Sequence, residues 1–202
     1  MRDLFSRMFR GKGRNRPIIV VSGLPRSGTS MMMEMLEAGG VPVLTDGIRK
    51  ADKDNPRGYR EFEKVKEVEK DTSWLDDCRG KACKIISALL RHLPRDKTYK
   101  IIFMNRNMEE VLASQRAMLE KRGVKEDPST DREMAGRFEA HLLKVKGWLD
   151  NEKCMDVLDV NYNEVIRNPA QEARIVAEFL DGAADPEKMS AVVERSLYRQ
   201  RK

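Results

Sequence analysis

IIVVSGLPRSGTSMMMEML, at Ile18–Leu36, is the stretch of this 202-residue chain that decides its fold. Its β-branched residues predict a buried strand, the segment from Ser22 to Gly28 predicts a turn, and the residues from Thr29 onward predict a helix. A turn of this kind directs several backbone N–H groups and the positive end of a helix dipole at one point. The stretch therefore predicts a binding site for a phosphate or sulfate group.

The glycines of this turn are spaced as in a nucleotide-binding phosphate loop, but the usual lysine is missing. Gly23 and Gly28 have the Walker A spacing, whereas a threonine follows where a nucleotide triphosphatase has lysine. Arg26 lies inside the loop instead, and its planar, permanently charged guanidinium suits the oxygens of an anhydride. Thr29 and Ser30 open the helix, where hydroxyl and free N–H groups can reach the same anion. An ordinary strand-to-helix turn is the competing explanation.

The segment Pro25–Ser30 resembles the phosphate-binding loop of the sulfotransferases that use 3'-phosphoadenosine 5'-phosphosulfate (PAPS). The 5'-phosphosulfate loop of that family reads Pro, Lys or Arg, Ser, Gly, Thr, and then Thr or Ser, and PRSGTS matches it throughout. The resemblance implies that the loop binds the 5'-phosphate of PAPS through four residues, Ser27, Gly28, Thr29 and Ser30.

A second element of that family is an arginine at a strand end, followed eight residues later by a serine, which together hold the 3'-phosphate. YKIIFMNRNMEEVLASQRAML supplies Arg106 and Ser114 at this interval. The residues themselves predict a strand at Tyr99–Met104, so that Arg106 lies at its carboxyl end, where parallel sheets bind ligands. Ser114 lies two turns along the predicted helix Asn107–Lys121 and can lean back toward Arg106.

The resemblance is less specific outside these two motifs. NPRGYREFEKVK, at Asn55–Lys66, and the segment Val157–Gly182 look like later parts of the family, and the match extends over about residues 17 to 200. Met31 stands where cytosolic small-molecule members have a tryptophan that stacks on adenine, and their C-terminal Arg-Lys-Gly run is missing. The basic tail Leu197–Lys202 is either a substitute for that run or a frayed terminus.

Sulfuryl transfer requires a cation for the departing phosphate oxygen and a base for the acceptor's proton, and it requires no metal. We predict that Arg26 neutralises the leaving-group charge. Glu61 is the first candidate base, because many superfamily members use a glutamate from this region and because partial burial would raise its pKa. A structural role in a first helical turn is equally open for Glu61. Asp46 is the second candidate, followed by His92 and His141, of which His141 lies on an apolar helical face typical of a core residue.

Composition predicts one folded domain at residues 17–202, preceded by a basic, flexible arm, Met1–Arg16. The chain is 40% hydrophobic, which suffices for one sizeable core, and the arm carries five of the six net positive charges. The folded part is therefore nearly neutral, which argues against nucleic acid as a partner. Apolar residues at helical spacing in the arm suggest a weak membrane-surface contact as a secondary hypothesis, but the arm is too short to cross a bilayer.

The three cysteines, Cys78, Cys83 and Cys154, are odd in number and lack the spacing of metal ligands. They support neither a disulfide framework nor a zinc site, so we expect a reducing, cytoplasmic location.

The alternation of strand and helix patterns predicts an α/β three-layer sandwich related to P-loop nucleotide triphosphatases. Its mostly parallel sheet has about five strands, with helices on both faces. The predicted strands are Pro17–Ser22, Val41–Leu44, Lys81–Ile86, Tyr99–Met104 and Met155–Val160. The predicted helices are Thr29–Ala38, Glu61–Asp71, Asn107–Lys121, Asp131–Leu149, Asn168–Leu180 and Pro186–Arg195. The polar segment Lys121–Thr130 is a predicted mobile lid over the acceptor site.

Two other functions and the identity of the acceptor stay open at this point. A P-loop kinase or nucleotide hydrolase explains the glycine spacing, but it needs a metal ligand at a strand end, where this chain has Asn105. A nucleotide-binding module without catalysis is the third function. Arg57 and Tyr59 are candidate residues of the acceptor pocket, with a solvated loop as the competing explanation. A carbohydrate, a lipid head group, a peptide and a small metabolite are all admissible acceptors.

Overall fold

The structure, a computed structural model, describes residues 16–52, 55, 57–121, 123 and 131–194. Three predicted segments lie largely or wholly outside the described residues. Only Arg16 of the basic arm is described, only Lys121 and Gly123 of the predicted lid, and no residue of the tail Leu197–Lys202. The predictions for these segments stay predictions.

Within the described residues, the sheet contains four parallel strands, in the order β2-β1-β3-β4. Their bounds are β1 Ile18–Gly23, β2 Ala82–Lys84, β3 Tyr99–Asn105 and β4 Met155–Asn161. The predicted parallel α/β sheet is confirmed, with four strands where the sequence predicted about five. In the central pairing Gly23 lies opposite Met104, and on the other side of β1 Val21 lies opposite Lys84. The carboxyl ends of these strands therefore meet at one edge of the sheet.

The predicted strand Val41–Leu44 is wrong. Val43 forms only an isolated parallel bridge with Ala82, supported by two hydrogen bonds: Leu44 N–H donates to the Ala82 carbonyl at 2.8 Å, and Ala82 N–H donates to the Pro42 carbonyl at 2.8 Å. Pro42 has no N–H to extend the pairing. Directly afterwards the chain turns: the Gly47 N–H donates to the Thr45 hydroxyl at 3.3 Å, and the Ile48 N–H donates to the Asp46 carboxylate at 3.0 Å.

Helices cover both faces of the sheet, as predicted. They are α1 Thr29–Ala38, α2 Met108–Lys121, α3 Asp131–Leu149, α4 Tyr162–Arg167, α5 Pro169–Phe179 and α6 Pro186–Ala191. Side chains alternate along β1, so that Ile19 and Val21 pack in the layer that holds residues of α1, α5 and α6. Ile18 and Val20 pack in the opposite layer, with Leu149 at the end of α3.

The predicted helix Glu61–Asp71 is wrong at its start and in its type. The observed element is a short 3₁₀ helix, Glu63–Glu67. The carbonyl of Glu61 cannot begin a helix because it already accepts hydrogen bonds from the Thr45 hydroxyl at 3.0 Å and the Asp46 N–H at 3.3 Å. These bonds hold the backbone at Glu61 against Thr45 and Asp46, the residues that follow Val41–Leu44. They position the Glu61 side chain for the site described below.

The helices that follow β4 differ from prediction at two points. Helix α4 has no counterpart in the predicted elements, and it begins where the Asn161 side chain accepts hydrogen bonds from the N–H groups of Asn163 and Glu164. Helix α6 ends at Ala191 and not at the predicted Arg195. The Val192 carbonyl beyond it accepts a hydrogen bond from the Arg57 guanidinium at 2.6 Å.

Candidate active site

The loop between β1 and α1 has the backbone shape of an anion-binding turn. Gly28, immediately before α1, has φ +99°, and a Cβ there would collide with the Tyr162 ring. A Cβ on Gly23 would collide with the Met104 carbonyl oxygen and the Ser27 hydroxyl, so neither position has room for a side chain. Arg26 also has a left-handed φ of +72°, which is costly for a residue with a side chain and is typical of functional sites.

The backbone of the loop is tied directly to Arg106 at the end of β3. The Arg106 guanidinium donates to the Arg26 carbonyl at 3.1 Å and to the Glu110 carboxylate at 2.9 Å. Its central carbon lies 4.3 Å from the centre of the Tyr162 ring, on which it stacks. The side chains of Arg106 and Glu110 are only 8% and 4% exposed, so the charge of Arg106 is fixed beside the loop by a buried ion pair.

The two motifs that the sequence singled out also meet through their side chains. The Arg26 Nε donates to the Ser114 hydroxyl at 3.0 Å, although the two residues are 88 positions apart in the chain. Ser114 is buried on α2, and Arg26 is half-buried in the loop. The structure therefore places Arg26, Arg106 and Ser114 in one cluster at the carboxyl edge of the sheet.

Lys84, the last residue of β2, connects the phosphate loop to Glu61. Its ammonium group lies 2.8 Å from the Glu61 carboxylate, and it donates to the Ser30 hydroxyl at 3.3 Å and to the Tyr59 carbonyl at 2.9 Å. The Lys84 side chain is 8% exposed. Burial lowers the pKa of Lys84, and the hydrogen bond and charge of Glu61 offset this only in part.

Glu61 is held by two cations. Besides Lys84, the Arg49 guanidinium donates to both of its carboxylate oxygens, at 3.0 and 2.9 Å. Burial acts to raise the pKa of Glu61, but the hydrogen bonds and charges of Lys84 and Arg49 outweigh it, and the pKa lies below the ordinary value. The expected upward shift is therefore corrected: Glu61 is ionised throughout the neutral pH range.

The other candidate bases have different surroundings. Asp46 is exposed, and its carboxylate accepts hydrogen bonds from the backbone N–H groups of Glu63 and Ile48, at 2.6 and 3.0 Å, which lower its pKa. His141 Nε2 lies 2.9 Å from the buried Ser87 hydroxyl, and burial lowers its pKa. His92 lies on the exposed side of a 3₁₀ turn beside Arg91, 3.4 Å from its Nε. Of the candidates, only Glu61 is among the described residues that line the cavity.

A cavity of about 650 Å³ brings these groups together. Its wall includes the phosphate loop, Arg106, Ser114, Lys84 and Glu61. Arg57 and Tyr59, the predicted acceptor-pocket residues, also line it. Arg57 donates to the Glu34 carboxylate of α1 at 2.6 Å, and Tyr59 lies under the Arg49 guanidinium at 3.4 Å, so both residues are packed and do not form a solvated loop.

The comparison with known families decides the identity of this fold. The family model described as the sulfotransferase domain matches residues 16–202, nearly the whole chain. The chain belongs to that family. No curated protein sequence matches it.

Solved structures of sulfotransferases share the fold of this family member. The sulfotransferase domain from the curacin biosynthetic pathway has 16% sequence identity and a TM-score of 0.52, covering 87% of this chain and 77% of that one. A sulfotransferase from Mycobacterium avium has 15% identity and a TM-score of 0.53, covering 94% and 69%. The sulfotransferase domain of the Synechococcus olefin synthase has 14% identity and a TM-score of 0.53, covering 94% and 90%. Among the described residues of this sulfotransferase, no helix has the length and apolar character required to cross a membrane.

Sequence reasoning missed two residues of the site. Neither Lys84 nor Arg49 is among the candidate residues of the sequence analysis. Alternation along β2 is the signal that could have identified Lys84. Its neighbours Cys83 and Ile85 are apolar core residues, so the Lys84 side chain lies on the other face of the sheet. Lys84 is also the last residue of β2, at the carboxyl edge where parallel sheets bind ligands. Arg49 has no comparable local signal, because its partner Glu61 is reached only through the turn at Asp46.

Proposed function

We propose that this sulfotransferase transfers a sulfuryl group from PAPS to a hydroxyl or amine acceptor by in-line displacement. The convergence of Arg106, Ser114 and the phosphate loop on one cavity is the observation that supports it. A doubly phosphorylated nucleotide needs two anion sites, and we assign these to the phosphate loop and to Arg106 with Ser114. PAPS supplies the activated sulfate, and the residues of this chain bind it and direct its reaction.

The phosphate loop fits a 5'-phosphosulfate in its shape and its donors. The Ser22 and Ser27 hydroxyls are buried, and no described residue is their hydrogen-bond partner. Thr29 and Ser30 open α1, whose first N–H groups have no partner within the helix. We propose that Ser27, Gly28, Thr29 and Ser30 bind the 5'-phosphate, as anions commonly bind at such a helix start.

Arg106 and Ser114 are the proposed ligands of the 3'-phosphate. Arg106 is held by Glu110 and Tyr162 and is one of the residues that line the cavity. The Ser114 hydroxyl accepts its hydrogen bond from Arg26 and has its own O–H to donate to a phosphate. The other N–H groups of the Arg26 guanidinium can donate to the bridging oxygen, where the positive charge stabilises the departing phosphate.

Lys84 and Glu61 are the proposed catalytic pair on the acceptor side of the loop. The acceptor oxygen or nitrogen bonds to sulfur as the bond from sulfur to the bridging oxygen breaks, adenosine 3',5'-bisphosphate leaves with that electron pair, and the acceptor proton passes to Glu61. Lys84 is placed between Ser30 and Glu61, so its ammonium group can stabilise charge on the transferring group while it orients the base.

Glu61→Gln should lower kcat by about 10²-fold and change the affinity for adenosine 3',5'-bisphosphate by less than threefold. The amide keeps the size of the side chain and cannot take a proton. Turnover with labelled PAPS and calorimetry with the bisphosphate measure the two effects. Asp46→Asn is the matched control, since it makes the same change at the second candidate base. Unchanged turnover in Glu61→Gln, with a loss in Asp46→Asn, would transfer the role to Asp46.

The relative affinity for two nucleotides distinguishes a PAPS-dependent sulfotransferase from a P-loop kinase or hydrolase. We expect adenosine 3',5'-bisphosphate to bind at least tenfold more tightly than ATP with magnesium, because Arg106 and Ser114 meet only a nucleotide with a 3'-phosphate. Calorimetry with both ligands makes the comparison. Tighter binding of ATP with magnesium would refute PAPS as the donor. Binding of the bisphosphate without transfer to any acceptor would instead identify the nucleotide-binding module without catalysis.

A further inference from the structure

Arg49 lines the cavity and contacts the candidate base, yet the proposed function assigns it no role. One guanidinium nitrogen, Nη1, donates to both carboxylate oxygens of Glu61, at 3.0 and 2.9 Å. The side chains of Arg49 and Glu61 are 34% and 22% exposed, so water only partly screens the ion pair. A carboxylate that is bound across both oxygens cannot rotate about its last carbon–carbon bond without losing one of these hydrogen bonds.

Tyr59 supports both cations that bind Glu61. The central carbon of the Arg49 guanidinium lies 3.4 Å from the centre of the Tyr59 ring, on which it stacks. The ring itself is fixed, because Tyr59 is 3% exposed and its hydroxyl donates to both carboxylate oxygens of Asp52, at 2.9 and 2.8 Å. The Tyr59 carbonyl accepts a hydrogen bond from Lys84 at 2.9 Å. One buried residue therefore sets where both cations meet the carboxylate.

These contacts leave one position on the Glu61 carboxylate for a proton. An ionised carboxylate has about four lone-pair sites, two on each oxygen. Arg49 uses one site on each oxygen, and Lys84, 2.8 Å from Oε1, uses the second site of that oxygen. Within the part of the chain that the structure describes, these two residues are the donors to the carboxylate. The site that stays open is on Oε2.

We infer that Arg49 is a positioning residue that holds the Glu61 carboxylate so that its open lone pair, on Oε2, takes the proton of the acceptor. This inference rests on the proposed function, since that function makes Glu61 the base. The O–H or N–H bond of the acceptor breaks as its oxygen or nitrogen bonds to sulfur, and the proton passes to Oε2. Arg49 forms and breaks no covalent bond in this step.

The charge of Arg49 gives this role a pH signature. The charged groups that face the Glu61 carboxylate from the described residues are Arg49, on its own segment, and Lys84, on β2, and both lower the pKa of Glu61. In Arg49→Gln only Lys84 opposes the burial that raises this pKa. The acid limb of the kcat profile should therefore move to higher pH, because Glu61 must be ionised to act as the base. The plateau value of kcat should fall by about 10- to 100-fold, the cost of a misplaced catalytic group.

Two further variants separate charge, geometry and simple loss of an ion pair. Arg49→Lys keeps the charge, so its acid limb should stay near the wild-type position, while kcat recovers only in part because an ammonium group lacks the planar shape that stacks on Tyr59. Arg95→Gln is the matched control. Arg95 also donates to both carboxylate oxygens of a glutamate, Glu152, and lies 6.0 Å from the centre of the Trp148 ring, but it is outside the cavity wall. Its loss should leave kcat and the acid limb unchanged.

Two measurements make the test. Turnover with labelled PAPS and a panel of hydroxyl and amine acceptors gives the pH profile. An NMR titration of protein with isotope-labelled glutamate carboxyl groups gives the pKa of Glu61 without turnover, and the Glu61 signal is identified by its loss in Glu61→Gln. We expect Arg49→Gln to raise this pKa and to shift the acid limb in the same direction.

The possible failures are distinguishable. If Glu61→Gln loses turnover but Arg49→Gln moves neither the NMR titration nor the acid limb, the role of Arg49 is wrong and the proposed base stands. An equal shift in Arg95→Gln would also overturn the inference. If Arg49→Gln raises the pKa of Glu61 while Glu61→Gln keeps full turnover, Glu61 is not the base, and the proposed function fails together with the role of Arg49.

Discussion

Replacing Lys84 with methionine should lower kcat for sulfuryl transfer by about 10²- to 10³-fold, the usual cost of removing one donor aimed at developing charge. Methionine retains most of the length of the side chain but has no charge to place between Ser30 and Glu61. Glu61 keeps its two hydrogen bonds from Arg49, so the substitution does not leave an unpaired buried carboxylate. Turnover with labelled PAPS and a panel of hydroxyl and amine acceptors measures the loss.

The matched control is Lys100→Met. Lys100 also lies on a strand and is 15% exposed, but its ammonium group binds the Phe179 carbonyl and Asp181 at the end of α5. Lys100→Met should therefore lower Tm and leave kcat unchanged. If the two methionine variants lose the same activity in proportion to their loss of stability, Lys84 is a structural residue and the proposed catalytic pair is wrong.

The lowered pKa of Lys84 gives the same experiment a pH dependence. Burial favours the neutral amine, so the proton leaves below the ordinary lysine pKa of 10.5. Rising pH therefore removes the charge, and kcat should fall on the alkaline side before an exposed lysine would titrate. Lys84→Arg keeps its charge in this range. The alkaline fall should be absent from its pH profile, whatever its absolute rate.

The phosphate loop could be predicted from the sequence because its geometry is local. Gly23, Arg26 and Gly28 adopt left-handed or otherwise unusual backbone angles within one short turn, and the flanking strand and helix each have a clear pattern. The interval from Arg106 to Ser114 is local in the same sense, since both positions follow from one strand end and one helix. What the sequence could not show is that Arg26 and Ser114 would touch.

The errors have two sources: a proline inside a strand pattern, and long-range contacts that override a local pattern. Val41–Leu44 has the residues of a strand, but Pro42 limits its pairing at the sheet edge. Glu61 has the neighbours of a first helical turn, yet its carbonyl is taken by Thr45 and Asp46. Long-range contacts also decide the pKa of Glu61. Burial alone predicts a raised pKa, but Lys84 and Arg49, which other segments bring close, lower it below the ordinary value.

Arg106→Met should weaken the binding of adenosine 3',5'-bisphosphate by about 100-fold, since it removes charge-assisted hydrogen bonds to the 3'-phosphate. It should also lower the free energy of unfolding by about 3 kcal/mol, because Glu110 is 4% exposed and would be left as a buried charge without its cation. Calorimetry measures the affinity, and urea unfolding measures the stability. Taken alone, the variant cannot separate a binding role from a structural one.

The double variant Arg106→Met with Glu110→Gln separates the two roles. Neutralising Glu110 removes the unpaired charge, while the amide can still accept the hydrogen bond that Asn163 donates to Glu110 at 3.0 Å. Stability should return to within about 1 kcal/mol of the wild type, whereas the affinity should stay about 100-fold weaker. Glu110→Gln alone keeps the guanidinium and should bind the nucleotide nearly as well as the wild type. If the double variant recovers its affinity together with its stability, Arg106 supports the loop and does not bind the 3'-phosphate.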